Sequence, residues 1–207
     1  MSLNKKNTKF IYLISPNKIE DDEFYTNLSL VLKSGKVSYF QLRLKKETIK
    51  NKLIIGNKIR KICKKYKVKF LVNDDPMIAK KLNADGCHLG QSDMSIVKAR
   101  KLLKNKIIGV TCHNSIKLAK KGISDGADYL AFGAFYSTQT KKVKYRANLR
   151  ILKSIKKITT LPVVAIGGIK LNNYKKLLLN KANFLAISGY IWNNKKYKPL
   201  EAIKKLK

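Results

Sequence analysis

Gln41, Arg43 and Lys45 occupy every second position of the stretch Val37-Ser-Tyr-Phe-Gln-Leu-Arg-Leu-Lys45. Alternate residues of an extended strand share a face. The spacing therefore gathers an amide, a guanidinium and an ammonium on one side, together with Tyr39. Phe40, Leu42 and Leu44 fall on the other side, which suits packing against helices. Cations drawn onto a sheet face lose hydration that an anionic partner must replace. The pattern points to a strand end that holds a phosphate-bearing ligand. The alternative is an edge strand with a solvated polar face.

Carboxylates are scarce, with 12 Asp and Glu against 46 Lys and Arg, so their positions carry information. Glu20, Asp21, Asp22 and Glu23 cluster where a helix would start, which suits the positive end of its dipole. Asp74, Asp75 and Asp93 instead follow predicted strands. Asp74 and Asp93 suit a hard cation such as Mg2+, which takes one or two carboxylates and completes its shell with water and phosphate oxygens. The competing reading makes Asp74 a cap and Asp93 the start of a helix. Asp75 precedes Pro76 and reads as a helix cap. His88 falls inside a strand and reads as a packed core or rim residue, whereas His113 stands at a strand end. Gly167-Gly168 and Ser188-Gly189 follow the last two predicted strands. Backbone N–H groups there can hold a phosphate, although a Gly-Gly pair alone would be only a turn.

These groups need elements to position them. Short apolar runs predict strands over Phe10–Ser15, Val37–Leu44, Lys69–Asn73, Gly86–Gly90, Ile107–Thr111, Tyr129–Gly133, Val163–Gly167 and Phe184–Ser188. Helical stripes lie between them: Ile54, Ile55, Ile59 and Ile62; Ile96, Ala99, Leu102 and Leu103; and Tyr174, Leu177 and Leu178. Asn-Ala-Asp-Gly (83–86) and Gly-Ala-Asp (126–128) read as helix-to-strand turns. Strand and helix alternate without a linker or a break in composition. The expected fold is a single (β/α)8 TIM barrel domain over residues 1–207. An open doubly wound sheet is the alternative, but no GxGxxG follows the first strand. In a barrel the active site lies at the carboxyl ends of the strands, and the unusual polar residues all fall there.

The 207 residues suffice for one substantial core. No apolar run is long enough to span a bilayer, and no leader pattern is expected at the start. Cys63, Cys87 and Cys112 show no CxxC pairing and read as buried free thiols in a reducing cytoplasm. The net charge of +34 raises the question of nucleic acid. Only Arg43, Arg60, Arg100, Arg146 and Arg150 are arginine, however, and the lysines spread over nearly every predicted helix. No arginine-aromatic patch is present. The charge, with abundant Asn, Ile and Tyr, fits an AT-rich coding sequence, and no specific nucleic-acid partner is expected.

The polar motifs also occur in a telling order: Gln-Leu-Arg-Leu-Lys (41–45), Asn-Asp (73–74), Asp-Gly-Cys-His-Leu-Gly-Gln-Ser-Asp (85–93) and Ile-Gly-Val-Thr-Cys-His (108–113). Gly-Ala-Asp-Tyr-Leu-Ala-Phe-Gly-Ala-Phe-Tyr-Ser-Thr-Gln-Thr-Lys (126–141), Pro-Val-Val-Ala-Ile-Gly-Gly-Ile (162–169) and Ala-Ile-Ser-Gly (186–189) complete it. Over nearly the whole chain the set resembles the thiamine phosphate synthase/TenI superfamily, and within it the synthases. The resemblance implies coupling of hydroxymethylpyrimidine diphosphate to thiazole phosphate by a dissociative path, with diphosphate leaving.

It further implies that Gln41, Arg43, Lys45 and Asn73 hold the diphosphate and pyrimidine, and that Asp74 and Asp93 bind Mg2+. Thr111, where serine is usual, would lie near the diphosphate. Thr138, Thr140 and Lys141 would serve the thiazole phosphate side and the diphosphate, and backbone at Gly168, Ile187 and Ser188 the thiazole phosphate. Lys45, Lys141 and Thr111 would carry the catalytic roles. The loop Gly133-Ala134-Phe-Tyr-Ser137 lacks prolines common in the family, and Asp75 stands where Arg or Tyr is common. Two other readings remain: a TenI-like thiazole tautomerase using His113 for proton transfer, and a non-catalytic basic barrel binding nucleic acid or anionic membranes. The sequence leaves open the oligomeric state and whether the thiazole carries a carboxylate.

Overall fold

In the computed structural model, which describes residues 9–138 and 144–207, strands and helices alternate from end to end. The order is β1 (Ile11–Ile14), α1 (Asp22–Lys33), β2 (Val37–Leu42), α2 (Ile49–Lys65), β3 (Lys69–Asn73), α3 (Pro76–Lys81), β4 (Gly86–Leu89) and α4 (Ile96–Leu103). It continues with β5 (Ile107–His113), α5 (Ile116–Ser124), β6 (Tyr129–Gly133), α6 (Leu149–Lys156), β7 (Val163–Ile166), α7 (Tyr174–Leu179), β8 (Phe184–Ile187), α8 (Gly189–Trp192) and α9 (Pro199–Lys205). All strand pairs are parallel, and β8 pairs with β1 to close the barrel.

Helix starts are written in short polar side chains. Asp21, Thr48, Asp75, Ser95, Ser115 and Asn148 each accept a backbone N–H of the first turn they precede. Asp75 is the cap of α3, as expected from Pro76. Asp74 caps nothing, and Ser95 rather than Asp93 caps α4. Both carboxylates are thereby left for another use.

The entry ends of the strands are stitched in pairs. Asp85, Asp128 and Asn183 stand just before β4, β6 and β8. Each side-chain oxygen accepts one N–H near the start of the preceding strand: Phe70 at 2.9 Å, Ile108 at 2.7 Å and Val163 at 2.9 Å. The backbone N–H of each stitch donates back to the carbonyl of that same residue, at 2.8, 2.7 and 2.8 Å. Register is thus set at the end opposite the candidate site.

Two apolar layers follow from strand alternation. Tyr12, Ile14, Leu71, Tyr129, Val164 and Ala186 fill the inside of the barrel. Phe40, Leu42, Phe70, Val72, Leu130 and Leu185 belong to the larger layer under the helices. Of the expected α2 stripe, Ile59 is buried and Ile55 and Ile62 pack against the core, while Ile54 departs from it. Ile54 is 51% exposed, and the buried line runs through Gly56, Ile59 and Cys63. A Cβ at Gly56 would lie 2.5 Å from a Leu82 methyl, so the helix packs on its glycine. Cys63, Cys87 and Cys112 are buried and free. No helix among the described residues is long and apolar enough to cross a membrane.

Candidate active site

The strand that bears Gln41 ends at Leu42, two residues sooner than expected. Arg43 and Lys45 therefore rise from the loop above it, while Tyr39 packs with the inner layer. The Arg43 backbone N–H is held by the Ser15 hydroxyl at 2.9 Å, and its guanidinium donates to Asn17 Oδ1 at 2.8 Å. Burial lowers the Arg43 pKa, and the nearby Asp74 charge opposes that shift. An arginine remains a cation under such a shift.

Lys45 Nζ lies 2.8 Å from Asp74 Oδ2. The pair is partly exposed and contributes at most ~1 kcal/mol to stability, so its value lies in placing charge. Asp74 has a φ of +65° and its N–H donates to His88 O at 2.8 Å. That strained turn aims its carboxylate across to Asp93. Asp93 Oδ2 in turn accepts the Gly90 N–H at 2.7 Å. Burial pushes the Asp74 pKa up, but the Lys45 ammonium outweighs this and holds it below the usual range. Asp93 goes the other way: burial raises it, the Gly90 N–H lowers it, and the Asp74 charge raises it again. Two close carboxylates, one resisting ionisation, are oxygen donors of the kind that could hold a hard cation.

A cavity of about 490 Å3 opens beside Asp74, lined by Lys45, Lys52, Asn73 and the apolar side chains of Leu42 and Val72. Lys52, on the first turn of α2, was not singled out from sequence. Nothing in the lysine-rich sequence of α2 marks Lys52 as lining this cavity.

Gln41 is buried and its amide donates to the Tyr12 hydroxyl at 2.9 Å. His88 is buried, as a packed residue should be, with both ring nitrogens engaged: Nδ1 with Tyr129 OH and Nε2 with Thr111 Oγ1, each at 2.8 Å. Thr111 is thereby tied into the inside of the barrel. His113, beyond a β-bulge in β5, lies against the Tyr145 ring with centroids 4.2 Å apart.

At the opposite side of the mouth, Gly167 and Gly168 have φ of +105° and +61°. A Cβ on Gly168 would meet Ser137 O at 2.2 Å, and one on Gly167 would meet Ala134 Cβ at 2.4 Å. The glycines are therefore required by the chain after β6, which leans on them through Tyr136 N–H to Gly167 O at 3.1 Å. Ile187 is buried at the end of β8, and the Ser188 hydroxyl donates to Ser15 O at 3.0 Å. Thr138 is half-buried on the same loop. Thr140 and Lys141 lie outside the described residues.

Comparison with known proteins follows the same line. The family model described as thiamine monophosphate synthase matches residues 11–191. The chain is 80% identical to the thiamine-phosphate synthase of Pelagibacter ubique (strain HTCC1062) over 207 residues, all of both chains. It is 37% identical to that of Nitrosomonas eutropha over 184 residues, 88% of this chain and 86% of the relative. The fold superposes on thiamine phosphate pyrophosphorylase from Pyrococcus furiosus with a TM-score of 0.83 and 27% identity, covering 98% of this chain and 96% of that one.

Proposed function

This chain belongs to the thiamine monophosphate synthase family, and on that premise we propose how its residues make thiamine phosphate. The substrates are hydroxymethylpyrimidine diphosphate and a thiazole phosphate; the products are thiamine phosphate and diphosphate. The bond from the pyrimidine methylene to the diphosphate oxygen breaks with its electron pair leaving on oxygen. The thiazole nitrogen then supplies the pair that closes the new C–N bond. Such a step asks the protein to hold the departing charge and align the two rings.

The observation that carries this reading is the cluster of Arg43, Lys45, Asp74 and Asp93 at the carboxyl ends of β2–β4. Arg43 and Lys45 would bind and stabilise the leaving diphosphate, with Asn73 beside them and Thr111 further along the rim. Gln41 would bound the pyrimidine. Asp74 and Asp93 would hold Mg2+, which when bound neutralises charge on the diphosphate. No group of three or more carboxylate, histidine or cysteine ligands occurs among the described residues. Two carboxylates therefore fit an ion that takes its remaining ligands from phosphate and water. Thr138, Thr140 and Lys141 are assigned to the thiazole phosphate and the diphosphate, and backbone at Gly168, Ile187 and Ser188 to the thiazole phosphate. The buried free cysteines fit a reducing cytoplasm.

A thiazole tautomerase would use the β7–β8 side and His113, and would have no need of Gln41, Lys45, Asp74 and Asp93 together. The test is incubation with both substrates and Mg2+, reading thiamine phosphate after oxidation to its fluorescent thiochrome form. Product that requires all three additions supports the synthase. Folded protein that yields none, and instead isomerises a thiazole phosphate, overturns it.

A further inference from the structure

Inside the barrel, four hydrogen bonds link five side chains from five strands. The Gln41 amide donates to Tyr12 OH at 2.9 Å, and Tyr12 OH meets Tyr129 OH at 2.8 Å. Tyr129 OH meets His88 Nδ1 and His88 Nε2 meets Thr111 Oγ1, each at 2.8 Å. Both phenols are wholly buried, and burial pushes their pKa values far up, so each keeps its proton.

Donor counting then orders the chain. Tyr12 OH accepts from Gln41 and has one proton, whose partner is Tyr129 OH. Tyr129 has one proton, and His88 Nδ1 must accept it. His88 therefore carries its proton on Nε2 and donates to Thr111 Oγ1. Thr111 keeps its own hydroxyl proton for an acceptor in the mouth. Bonds polarised in one direction strengthen one another.

A second observation concerns the seat of Tyr129. A Cβ on Gly109 would fall 1.8 Å from the Tyr129 Cζ and 2.2 Å from its Cε1. Only glycine lets the ring lie across β5. There it stacks on His88, with centroids 5.6 Å apart and planes 18° off parallel.

We propose that Tyr129 is a positioning residue of the coupling reaction: seated on Gly109, it fixes the His88 tautomer and so makes the Thr111 hydroxyl a donor to an anionic oxygen at the barrel mouth. This rests on the coupling reaction proposed above, in which that oxygen belongs to the diphosphate.

The chain holds only two histidines, so its imidazole 15N spectrum can be assigned with one histidine variant. In the wild type, His88 is expected as the Nε2–H tautomer, and in Tyr129→Phe as a mixture. Tyr12→Phe leaves the Tyr129-to-His88 bond in place and should keep the wild-type tautomer. In kinetics, Tyr129→Phe and Thr111→Val should each lower kcat roughly ten-fold, the scale of one hydrogen bond to a charged group. The double variant should be no slower than Thr111→Val alone. An Nδ1–H tautomer in the wild type, or losses that multiply in the double variant, would overturn the proposal. The wild-type spectrum decides the order of the chain even if a variant fails to fold. Absence of coupling activity in the wild type would instead strike the reaction premise, leaving the hydrogen-bond order to the spectrum.

Discussion

Asp74 and Asp93 face each other with opposite electrostatic histories. Asp74, held low by Lys45, stabilises the fold above its unfolded pKa, and that contribution fades as pH falls through the lower folded value. Asp93, held high by burial and by Asp74, costs stability above its folded pKa, and the cost disappears on acidification below the unfolded value. Asp93→Asn keeps an oxygen for the Gly90 N–H and removes the repulsion. With chelator at neutral pH, its melting temperature should equal or exceed that of the wild type, whereas Asp74→Asn should fall below it. Both shifts should stay under ~1 kcal/mol, because the sites are partly open to water. A clear loss in Asp93→Asn would contradict the shared-charge description. Lys45→Met removes the cation proposed to hold the departing diphosphate, and on that proposal kcat should fall ~100-fold; turnover within a factor of two of wild type would remove Lys45 from the chemistry. At this scale the sequence was legible wherever residue type and strand position sufficed, as for Asp75 and the buried His88. Tyr12 and Tyr129 escaped because alternation tells which face a phenol occupies, not which hydroxyl it meets across a barrel.

At the scale of elements, Lys69–Asn73 and Tyr129–Gly133 were legible to the residue, because apolar β-branched and aromatic runs end there in polar or turn residues. The end of β2 was not. Leu44 stays buried beyond the last strand residue, so the hydrophobic pattern outlasted the pairing. The α2 stripe was legible at Ile55, Ile59 and Ile62 but not at Ile54, because the close contact with Leu82 is made at Gly56, which carries no hydrophobic signal. Asp85 and Asp128 passed as ordinary helix-to-strand turns, since their partners lie on the preceding strand. Asp128→Ala should cost about 1–3 kcal/mol in urea unfolding, the price of a buried N–H left unsatisfied at Ile108 together with the lost Arg100 contact at 2.7 Å. Asp128→Asn, which retains an acceptor, should lose less, and equal losses would refute the stitch. Gly109→Ala should destabilise by about 1–3 kcal/mol or more through overpacking against Tyr129. An Ala variant as stable as wild type would mean that the ring does not need that seat.

Over the whole molecule the net charge is +34, and among the described residues every helix except α8 carries lysine. The barrel was legible as a whole because strand and helix alternate, with the site residues falling at the strand ends that a barrel brings together. The pairing of β8 with β1 was less so, since closure depends on the far ends of the chain. Lys36 helps there: its ammonium donates to Lys204 O at 2.9 Å and Leu206 O at 2.6 Å, pinning the end of α9 under β2. The most direct measurement of the central claim is thiamine phosphate formation as Mg2+ is titrated, with wild type and Asp93→Asn side by side. The wild type should form product only with the metal, and Asp93→Asn should be slower by ~100-fold or more at saturating Mg2+. Metal-independent product in the wild type, or equal turnover in the two proteins, would contradict the assignment of this carboxylate pair.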